Sequence, residues 1–514
     1  MITHMRLEDK TTLNILARTS SSLLLVVSSI IMVRYLSKND YGTFLQIMLV
    51  VNTVTMLAFA GLPQSIFYFY PQTSDKKHLV KQTLWIGFSI SLLSAILVFF
   101  ASEWLAQLLN NPDVASFSVF MGLMILFQGP VSFRDPILLS QEALILNSIT
   151  SISASLIDYV PVFIGLLLGA NLIDVFFIFV CCKIINFIIF LCTIKIMLNN
   201  SVVPSIEKKL YTIKYKRVSC LSQIKYSFPI GIASYIGLIG KQIDKYIISI
   251  FFSTGQFAVY SRGSMEVPFI STITYTINDI SMTRYVEAYQ KKDIKEFLRL
   301  MHVNIDKVAK INFGVFAFLF FEARLLIETL YTDEYSSATP IFQVYLFLLF
   351  LAITVYNMIP RVTGHTHQLT IATSLSVIVN IILSLCFIPL LGPVGAAIGT
   401  VFGSFCYMAY LLFAGSRSLD VSWLSIMPWG YLGRILVISL FPLLGLYFYH
   451  FYGIQFEFLG NFGVLLGAFF VYLYLYLAGL NLFGLLRPED RSFIVRWVRF
   501  NLFLILPSQR FGPR

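Results

Sequence analysis

Apolar runs of about twenty residues recur along the whole chain and are separated by short polar segments. As an α-helix, such a run spans the roughly 30 Å hydrocarbon core of a bilayer. The pattern predicts transmembrane helices at residues 12–34, 43–68, 82–105, 115–140, 143–169, 172–197, 225–252, 256–284, 304–330, 338–362, 367–390, 393–415, 430–451 and 460–484. The chain is therefore predicted to be an all-α integral membrane protein of about fourteen transmembrane helices.

Composition supports this prediction. The 514 residues are 57% hydrophobic and only 12% charged, and their mean hydropathy is +0.79. A soluble domain has too little interior to hide so large an apolar fraction. Lipid must therefore be the solvent for most of the chain.

The net charge of +11 is explained by membrane topology rather than by nucleic acid. Basic residues that bind nucleic acid gather on a folded soluble face, whereas here they alternate with apolar runs along the chain. Cytoplasmic loops of membrane proteins carry the excess of Lys and Arg, and an even number of helices with both termini in the cytoplasm places most basic segments there. Arg34 and Lys38 are the exception, because they lie on a predicted outside loop.

A repeated pattern divides the chain. Ser-x-x-x-aromatic-small-x-aromatic occurs at 37–44 and again at 253–260, and Asp158, Pro161 and Gly169 are matched at a similar offset by Asn380, Pro389 and Gly392. The repeat predicts two pseudo-symmetric six-helix lobes around a central cavity, followed by two further helices. The predicted units are an N-terminal lobe at 1–200, a basic cytoplasmic loop at 201–224, a C-terminal lobe at 225–416, two helices at 417–486 and a basic cytoplasmic tail at 487–514.

The sequence contains no catalytic or cofactor-binding motif. It has no phosphate-binding glycine loop, no His-Glu-x-x-His and no nucleophile elbow, and its six cysteines lack zinc-site spacing. His365 and His367 are interpreted as part of a polar turn because no third ligand is near them in sequence. We therefore expect a transporter without cofactor or metal rather than an enzyme.

Ionisable residues inside apolar runs are the candidate functional residues. Each costs about 2.5 to 3.5 kcal/mol at the bilayer centre on insertion scales and usually faces a partner or a wet cavity. The seventh span carries Lys241, Asp244 and Lys245, and the eighth carries Arg262 and Glu266. Helical rise predicts that Lys241 pairs with Glu266 and Asp244 with Arg262. Either these residues only hold the hairpin together, or their surplus of cations lines a cavity for an anionic headgroup such as diphosphate.

Three further charges lie within predicted spans. Arg18 on the first span either adds to the cationic cavity or extends to the cytoplasmic interface. Asp158 on the fifth span and Lys183 on the sixth lie at matching depth, which predicts a structural ion pair. If the two do not pair, Asp158 is a candidate for ion or proton coupling.

Three segments, in order, resemble the polysaccharide biosynthesis flippases that translocate O-antigen and capsule repeat units. These segments are 34–42, Arg-Tyr-Leu-Ser-Lys-Asn-Asp-Tyr-Gly; 226–261, with Tyr-Ser-Phe-Pro, Asp-Lys-Tyr and Phe-Ala-Val-Tyr-Ser; and 387–399, Phe-Ile-Pro-Leu-Leu-Gly-Pro-Val-Gly-Ala-Ala-Ile-Gly. The resemblance implies the superfamily that also contains multidrug exporters and the lipid II flippase. In that superfamily two six-helix lobes open alternately, Asp244 matches the acidic position of the central segment, and Arg18 and Arg262 lie where the lipid II flippase is cationic.

The resemblance implies that the chain moves a polyprenyl-diphosphate-linked oligosaccharide from the cytoplasmic to the outer leaflet of a bacterial inner membrane. Its partners would be this substrate, the bilayer and a glycan polymerase or chain-length protein, without nucleic acid. One alternative is an ion-coupled exporter of drugs or small molecules. A second is a glycan polymerase or ligase, which the short predicted outside loops disfavour.

Overall fold

The computed structural model describes residues 7–59, 61–141, 143–199, 217–267, 270–451 and 460–487, and within these ranges the chain forms helices and no β-strand. The predicted all-α membrane fold is confirmed. Eight helical segments of the described residues are long and apolar enough to cross a membrane.

The first half of the chain contains ten helices in the described ranges. They are α1 (Leu7–Tyr35), α2 (Lys38–Ala58), α3 (Leu62–Phe69), α4 (Lys76–Phe100), α5 (Ser102–Leu108), α6 (Asp113–Ser116), α7 (Ser118–Val131), α8 (Arg134–Ser140), α9 (Leu144–Leu167) and α10 (Leu172–Asn199).

The second half repeats this organisation and adds further helices after it. Its helices in the described ranges are α11 (Cys220–Gly240), α12 (Ile243–Phe251), α13 (Thr254–Gly263), α14 (Ile270–Gln290), α15 (Ile294–Phe321), α16 (Ala323–Tyr331), a 3-10 helix (Asp333–Ala338), α17 (Thr339–Leu346), α18 (Leu348–Leu351), α19 (Met358–Thr363), α20 (His367–Leu391), α21 (Pro393–Leu419), α22 (Trp423–Ile426), α23 (Trp429–Leu440), α24 (Pro442–Phe451) and α25 (Gly460–Leu482).

Several predicted spans are interrupted helices rather than continuous ones. The span predicted at 338–362 consists of α17, α18 and α19, with non-helical backbone before α19. Its free carbonyls are satisfied from neighbouring helices: Asn312 Nδ2 donates to the carbonyls of Leu349 and Ala352 at 3.1 and 3.0 Å, and Thr274 Oγ1 donates to Ala352 at 2.9 Å. Such breaks are tolerated at membrane depth only where protein or water supplies these partners.

The helices pack as two lobes. In the first half α1 lies along α9 and α4 along α7, and in the second half α20 lies along α21 and α14 along α15. α23 and α25 pack against α15, so the last helices belong to the second lobe. The lobes meet where α2 contacts α13 and where α3 contacts α11. The predicted unit boundaries stay a prediction, and most of the loop at 201–224 and of the tail at 487–514 lies outside the described residues.

Candidate functional site

The two copies of the repeated pattern adopt the same local structure. Ser37 precedes α2 and accepts a hydrogen bond from the Asp40 amide at 3.1 Å, while Ser253 precedes α13 and accepts one from the Gln256 amide at 3.4 Å. A serine oxygen at this position satisfies an amide that the first helical turn leaves free. The pattern therefore starts an equivalent helix in each lobe.

These two helix starts pack face to face, an arrangement that we name the α2–α13 contact. A Cβ placed on Gly42 would lie 2.2 Å from the Thr254 carbonyl oxygen, and one on Gly255 would lie 2.9 Å from Asn39 Oδ1. Because the Thr254 carbonyl is backbone, only a residue without a side chain fits at position 42, whereas the end of the Asn39 side chain can shift to admit a side chain at position 255. The small residue of the first repeat is thus a requirement of the contact between lobes.

Charged residues cover the edge of this contact. Arg34 Nη2 donates to the Thr329 carbonyl at 2.8 Å, and Lys38 Nζ lies 3.8 Å from Glu334 Oε2 and 5.7 Å from the Tyr335 ring. Arg34 and Lys38 are the two basic residues that depart from the predicted charge rule. Both residues contact the second lobe, which gives them a structural role apart from that charge rule.

Arg262 bridges the lobes through aromatic rings instead of a carboxylate. Its Cζ lies 5.4 Å from the centre of the Tyr41 ring in the first lobe and 5.7 Å from that of Tyr331. Both tyrosines are 1% exposed, and Arg262 Nε is buried without a hydrogen-bond partner. The guanidinium therefore rests on π faces, an attraction that strengthens as water is removed.

The predicted pairing of Asp244 with Arg262 is wrong. Asp244 is 3% exposed and accepts hydrogen bonds from the hydroxyls of Tyr260, at 2.7 Å, and Tyr345. A buried carboxylate needs donors, and two tyrosines supply them here without a cation. A search for opposite charges could not identify such partners.

The predicted pairing of Lys241 with Glu266 is also wrong. Both residues are exposed and Lys245 is half-buried, and within the described residues none of the three forms an ion pair. Lys241 lies in the break between α11 and α12, and Glu266 lies beyond the last residue of α13. The prediction estimated the membrane depth of each residue by assuming continuous helices, and it fails because both predicted spans are interrupted.

The predicted ion pair of the fifth and sixth spans is confirmed. Lys183 Nζ lies 2.8 Å from Asp158 Oδ2, and Asn186 Nδ2 donates to Asp158 Oδ1 at 2.8 Å. Each carboxylate oxygen thus has a donor, which is the arrangement that a buried charge requires. An ion-coupling role for Asp158 and Lys183 stays a prediction. Arg18 lies on α1, and its side chain is outside the described part of the chain.

The second inter-lobe contact, which we name the α3–α11 contact, also depends on a glycine. Gly61 precedes α3 with φ of +82°, and a Cβ on it would lie 2.2 Å from the Ser227 carbonyl oxygen and 2.7 Å from the Gly231 amide nitrogen. The rings of Tyr68 and Tyr226 stack beside it at 4.3 Å. The glycine is required for both its backbone conformation and its lack of a side chain.

Polar groups complete the α3–α11 contact. Gln223 is 0% exposed, and its Nε2 donates to Ser65 Oγ at 2.9 Å and to Thr83 Oγ1 at 2.7 Å. At the outer edge of the contact, Arg217 Nε lies 2.9 Å from Asp75 Oδ2. The His78 amide, followed by Arg217, lowers the pKa of Asp75 below its ordinary value.

Sequence reasoning missed a second charge cluster, centred on Asp306 of α15. Asp306 is 1% exposed and contacts Lys310 Nζ at 2.9 Å, Arg487 Nε at 2.9 Å and the Tyr431 hydroxyl at 2.5 Å. The spacing of four between Asp306 and Lys310 is a recognisable helical ion-pair pattern. The cluster fastens α23 and the end of the described chain to the second lobe.

The chain is similar to known membrane proteins. The profile of the family described as Polysaccharide biosynthesis protein matches residues 7–283, more than half of the chain. An uncharacterized membrane protein of Methanocaldococcus jannaschii is 22% identical over 435 residues, which is 79% of this chain and 83% of that protein.

Two solved structures share the fold. A lipid II flippase MurJ in an inward closed conformation has a TM-score of 0.69 and 19% identity, covering 92% of this chain and 98% of that one. An inward-facing multidrug resistance MATE family transporter of the MOP superfamily has a TM-score of 0.58 and 12% identity, covering 78% and 94%. The predicted family is confirmed: this chain is a multi-pass membrane protein that belongs to the polysaccharide biosynthesis protein family.

Proposed function

We propose that this protein is a flippase that moves a polyprenyl-diphosphate-linked oligosaccharide, a surface polysaccharide repeat unit, between the leaflets of the membrane. The observation that carries the proposal is the pair of inter-lobe contacts at opposite ends of α2. The 21 residues of α2 correspond to about 30 Å of helix, the thickness of the hydrocarbon core.

The contacts suit alternating access. Each is centred on a glycine in close approach and on polar or aromatic side chains, and Leu49 of α2 shares an apolar cluster with Ile247 and Ile248 of the second lobe. Opening the α2–α13 contact alone would expose the space between the lobes to one side, and opening the α3–α11 contact alone would expose it to the other. Rocking of one repeat against the other is the common motion of such transporters.

The charges between the contacts suit a diphosphate. Lys241 lies in the α11–α12 break, between Ser227, which approaches the first lobe at one end, and Ser249, which accepts from Gln46 at 2.7 Å at the other. Lys241 and Lys245 form no ion pair within the described residues, and Asp244 is satisfied by tyrosines. A cation that has no acidic partner is available to donate hydrogen bonds to phosphate oxygens. We propose Arg18, Lys241, Lys245 and Arg262 as substrate contacts, with Asp244 and Glu266 as neighbouring acids.

The physical need for such a protein is large. Burying each sugar hydroxyl costs about 0.5 to 2 kcal/mol even on lenient scales, so an oligosaccharide faces tens of kcal/mol without a hydrated path. A membrane potential that is negative inside favours outward movement of a diphosphate by about 2.3 kcal/mol per charge per 100 mV.

Sidedness follows from the basic loops. The α3–α11 contact lies beside Lys76, Lys77 and Lys81 and would face the cytoplasm, whereas the α2–α13 contact would face outward. With both termini in the cytoplasm of a bacterial inner membrane, loading at the first contact and release at the second would deliver repeat units to a polymerase and its chain-length partner.

The proposal is tested by deleting the gene in its native host while keeping glycan synthesis intact. Lipid-linked oligosaccharide in each leaflet and surface polysaccharide are then measured. We expect complete repeat units to accumulate on the inner leaflet while surface glycan disappears. Units that reach the outer leaflet but remain unpolymerised would instead indicate an enzyme that acts after transport.

The second candidate is an ion-coupled exporter of small molecules, favoured by the fold shared with a MATE transporter. A cavity for cationic drugs should carry surplus acid, whereas Lys241 and Lys245 give this one surplus base. Replacing Lys241 with Gln separates the two: the flippase loses glycan export, whereas an exporter of cations keeps or gains drug efflux. Protein abundance in the membrane is the control, since its loss would indicate a structural role.

A further inference from the structure

The repeat places one side chain of each lobe across the boundary to the other. The ninth residue after the capping serine is Gln46 in the first lobe and Arg262 in the second. Gln46 Nε2 donates to Ser249 Oγ of the second lobe at 2.7 Å, and Arg262 stands over the Tyr41 ring of the first lobe at 5.4 Å. Equivalent positions of the two repeats therefore each contact the opposite lobe, and we call these two the reciprocal contacts.

The two reciprocal contacts differ in how completely they are satisfied. Gln46 is 0% exposed, donates also to the Leu109 carbonyl at 3.0 Å and accepts from Asn111 Nδ2 at 2.6 Å. Arg262 has a buried Nε without a hydrogen-bond partner, and the carboxylate of Asp244 on α12 is occupied by tyrosines. The hydrogen-bonding groups of the neutral Gln46 are therefore satisfied, whereas the cationic Arg262 retains an Nε–H donor without a partner.

We propose that Arg262 and Tyr41 form a latch that holds the α2–α13 contact closed and that an anionic diphosphate between the lobes releases. This inference rests on the proposed substrate class. A phosphate oxygen accepts charge-assisted hydrogen bonds from a guanidinium, including the unused Nε–H, and these are stronger than attraction to a ring. Arrival of the headgroup would thus draw Arg262 from Tyr41 and unlock the contact through which the cargo must leave.

A disulfide reports closure directly. A Cβ on residue 255 would lie 3.8 Å from Lys38 Cβ, which is the usual separation of Cβ atoms in a disulfide. In a protein whose six native cysteines are replaced, Lys38→Cys and Gly255→Cys should cross-link when the α2–α13 contact is closed. The rate of cross-linking in purified protein in lipid nanodiscs measures the closed fraction without any transport assay.

We expect Tyr41→Leu and Arg262→Gln each to slow cross-linking by roughly 2- to 30-fold, the range that one cation–π contact supports, and the double variant to be no slower than either. Tyr41→Phe keeps the ring and should cross-link normally. Unchanged rates in both single variants, or independent effects that multiply in the double variant, would overturn the latch.

Ligand release is tested with a polyprenyl diphosphate as the probe and the matching neutral polyprenol as its control. The diphosphate should slow cross-linking when Arg262 is present and have no effect in Arg262→Gln. Ser249→Ala, which weakens the reciprocal Gln46 contact, is the matched control and should retain the response. If the single variants behave as expected but the diphosphate has no effect, release by diphosphate is overturned while closure by Arg262 stands. Failure of the proposed flippase function would appear separately, in the leaflet assay.

Discussion

The two contacts between the lobes solve the same packing problem with different chemistry. In both, a Cβ placed on the glycine would lie 2.2 Å from a carbonyl oxygen of the other lobe. The α3–α11 contact surrounds its glycine with neutral donors and acceptors and a tyrosine stack, with one ion pair at its edge. The α2–α13 contact surrounds its glycine with cations that lie on rings or at the edge. An anion inside the protein would therefore act mainly on the second.

The glycines should give the largest effects, and in opposite directions. Gly61→Ala places a side chain at φ +82° and against the Ser227 carbonyl. The resulting backbone strain and overlap should make closure of the α3–α11 contact less favourable by roughly tenfold or more. Gly42→Ala meets the Thr254 carbonyl at 2.2 Å and should prevent the other contact from closing. Both should lose glycan export, but only Gly42→Ala should abolish the 38–255 cross-link. Loss of the cross-link in both variants would mean that the contacts do not move independently.

Gln223 should give the next effect. Replacing it with Leu removes the donor to Ser65 and Thr83, and leaving buried polar groups unpaired costs about 1 to 3 kcal/mol. We expect a lower melting temperature and a larger fraction open at the α3–α11 contact, measured by labelling with a thiol reagent at Ser227→Cys, a position that is 5% exposed in the closed contact, in a protein whose six native cysteines are replaced. The matched variant Gln46→Leu at the other contact should lower the melting temperature similarly without raising labelling at position 227. Equal labelling in both would remove the distinction between the contacts.

The sequence predicts some of these features and not others, for identifiable reasons. The repeat that contains Ser37 and Ser253 is visible in the sequence without coordinates, although the capping role of the two serines is not. The Asp158–Lys183 pair was predicted correctly because α9 and α10 are continuous. The predicted partner of Asp244 was wrong for two reasons. Interrupted helices alter the depth of a residue in the membrane, and tyrosine hydroxyl donors are not found by a search for opposite charges.

The role of charged residues near the ends of predicted spans was also not predictable from the sequence. Asp306 was overlooked because it lies at the start of a predicted span, where charges are normally solvated. Its contacts with Tyr431 and Arg487 bring together segments that are more than a hundred residues apart in sequence. Only tertiary packing reveals such a cluster.

The tyrosine stack of the α3–α11 contact should give a smaller effect. Tyr226→Leu removes a stack with Tyr68 that is worth about 0.5 to 1.5 kcal/mol beyond its burial, whereas Tyr226→Phe should be close to neutral. The expected result is a two- to tenfold rise, roughly, in the thiol labelling of Ser227→Cys for Leu alone. If Phe and Leu behave alike, the hydroxyl rather than the ring supports the contact.

The ion pair at the edge of the α3–α11 contact should give the smallest effect, and its sign follows from the lowered pKa of Asp75. The His78 amide and Arg217 stabilise the charged carboxylate, so the contribution is present above the ordinary pKa of an aspartate and is lost as pH falls through the lowered value. Arg217→Gln should therefore reduce the melting temperature slightly at neutral pH, and the difference from the parent should vanish in acid.

Because Arg217 is 71% exposed, salt should also reduce the difference, since charges are screened over about 8 Å at physiological ionic strength. Melting curves from about pH 3 to pH 8 at low and high salt measure both trends. A difference that grows in acid would show that the α3–α11 contact depends on another group than Asp75.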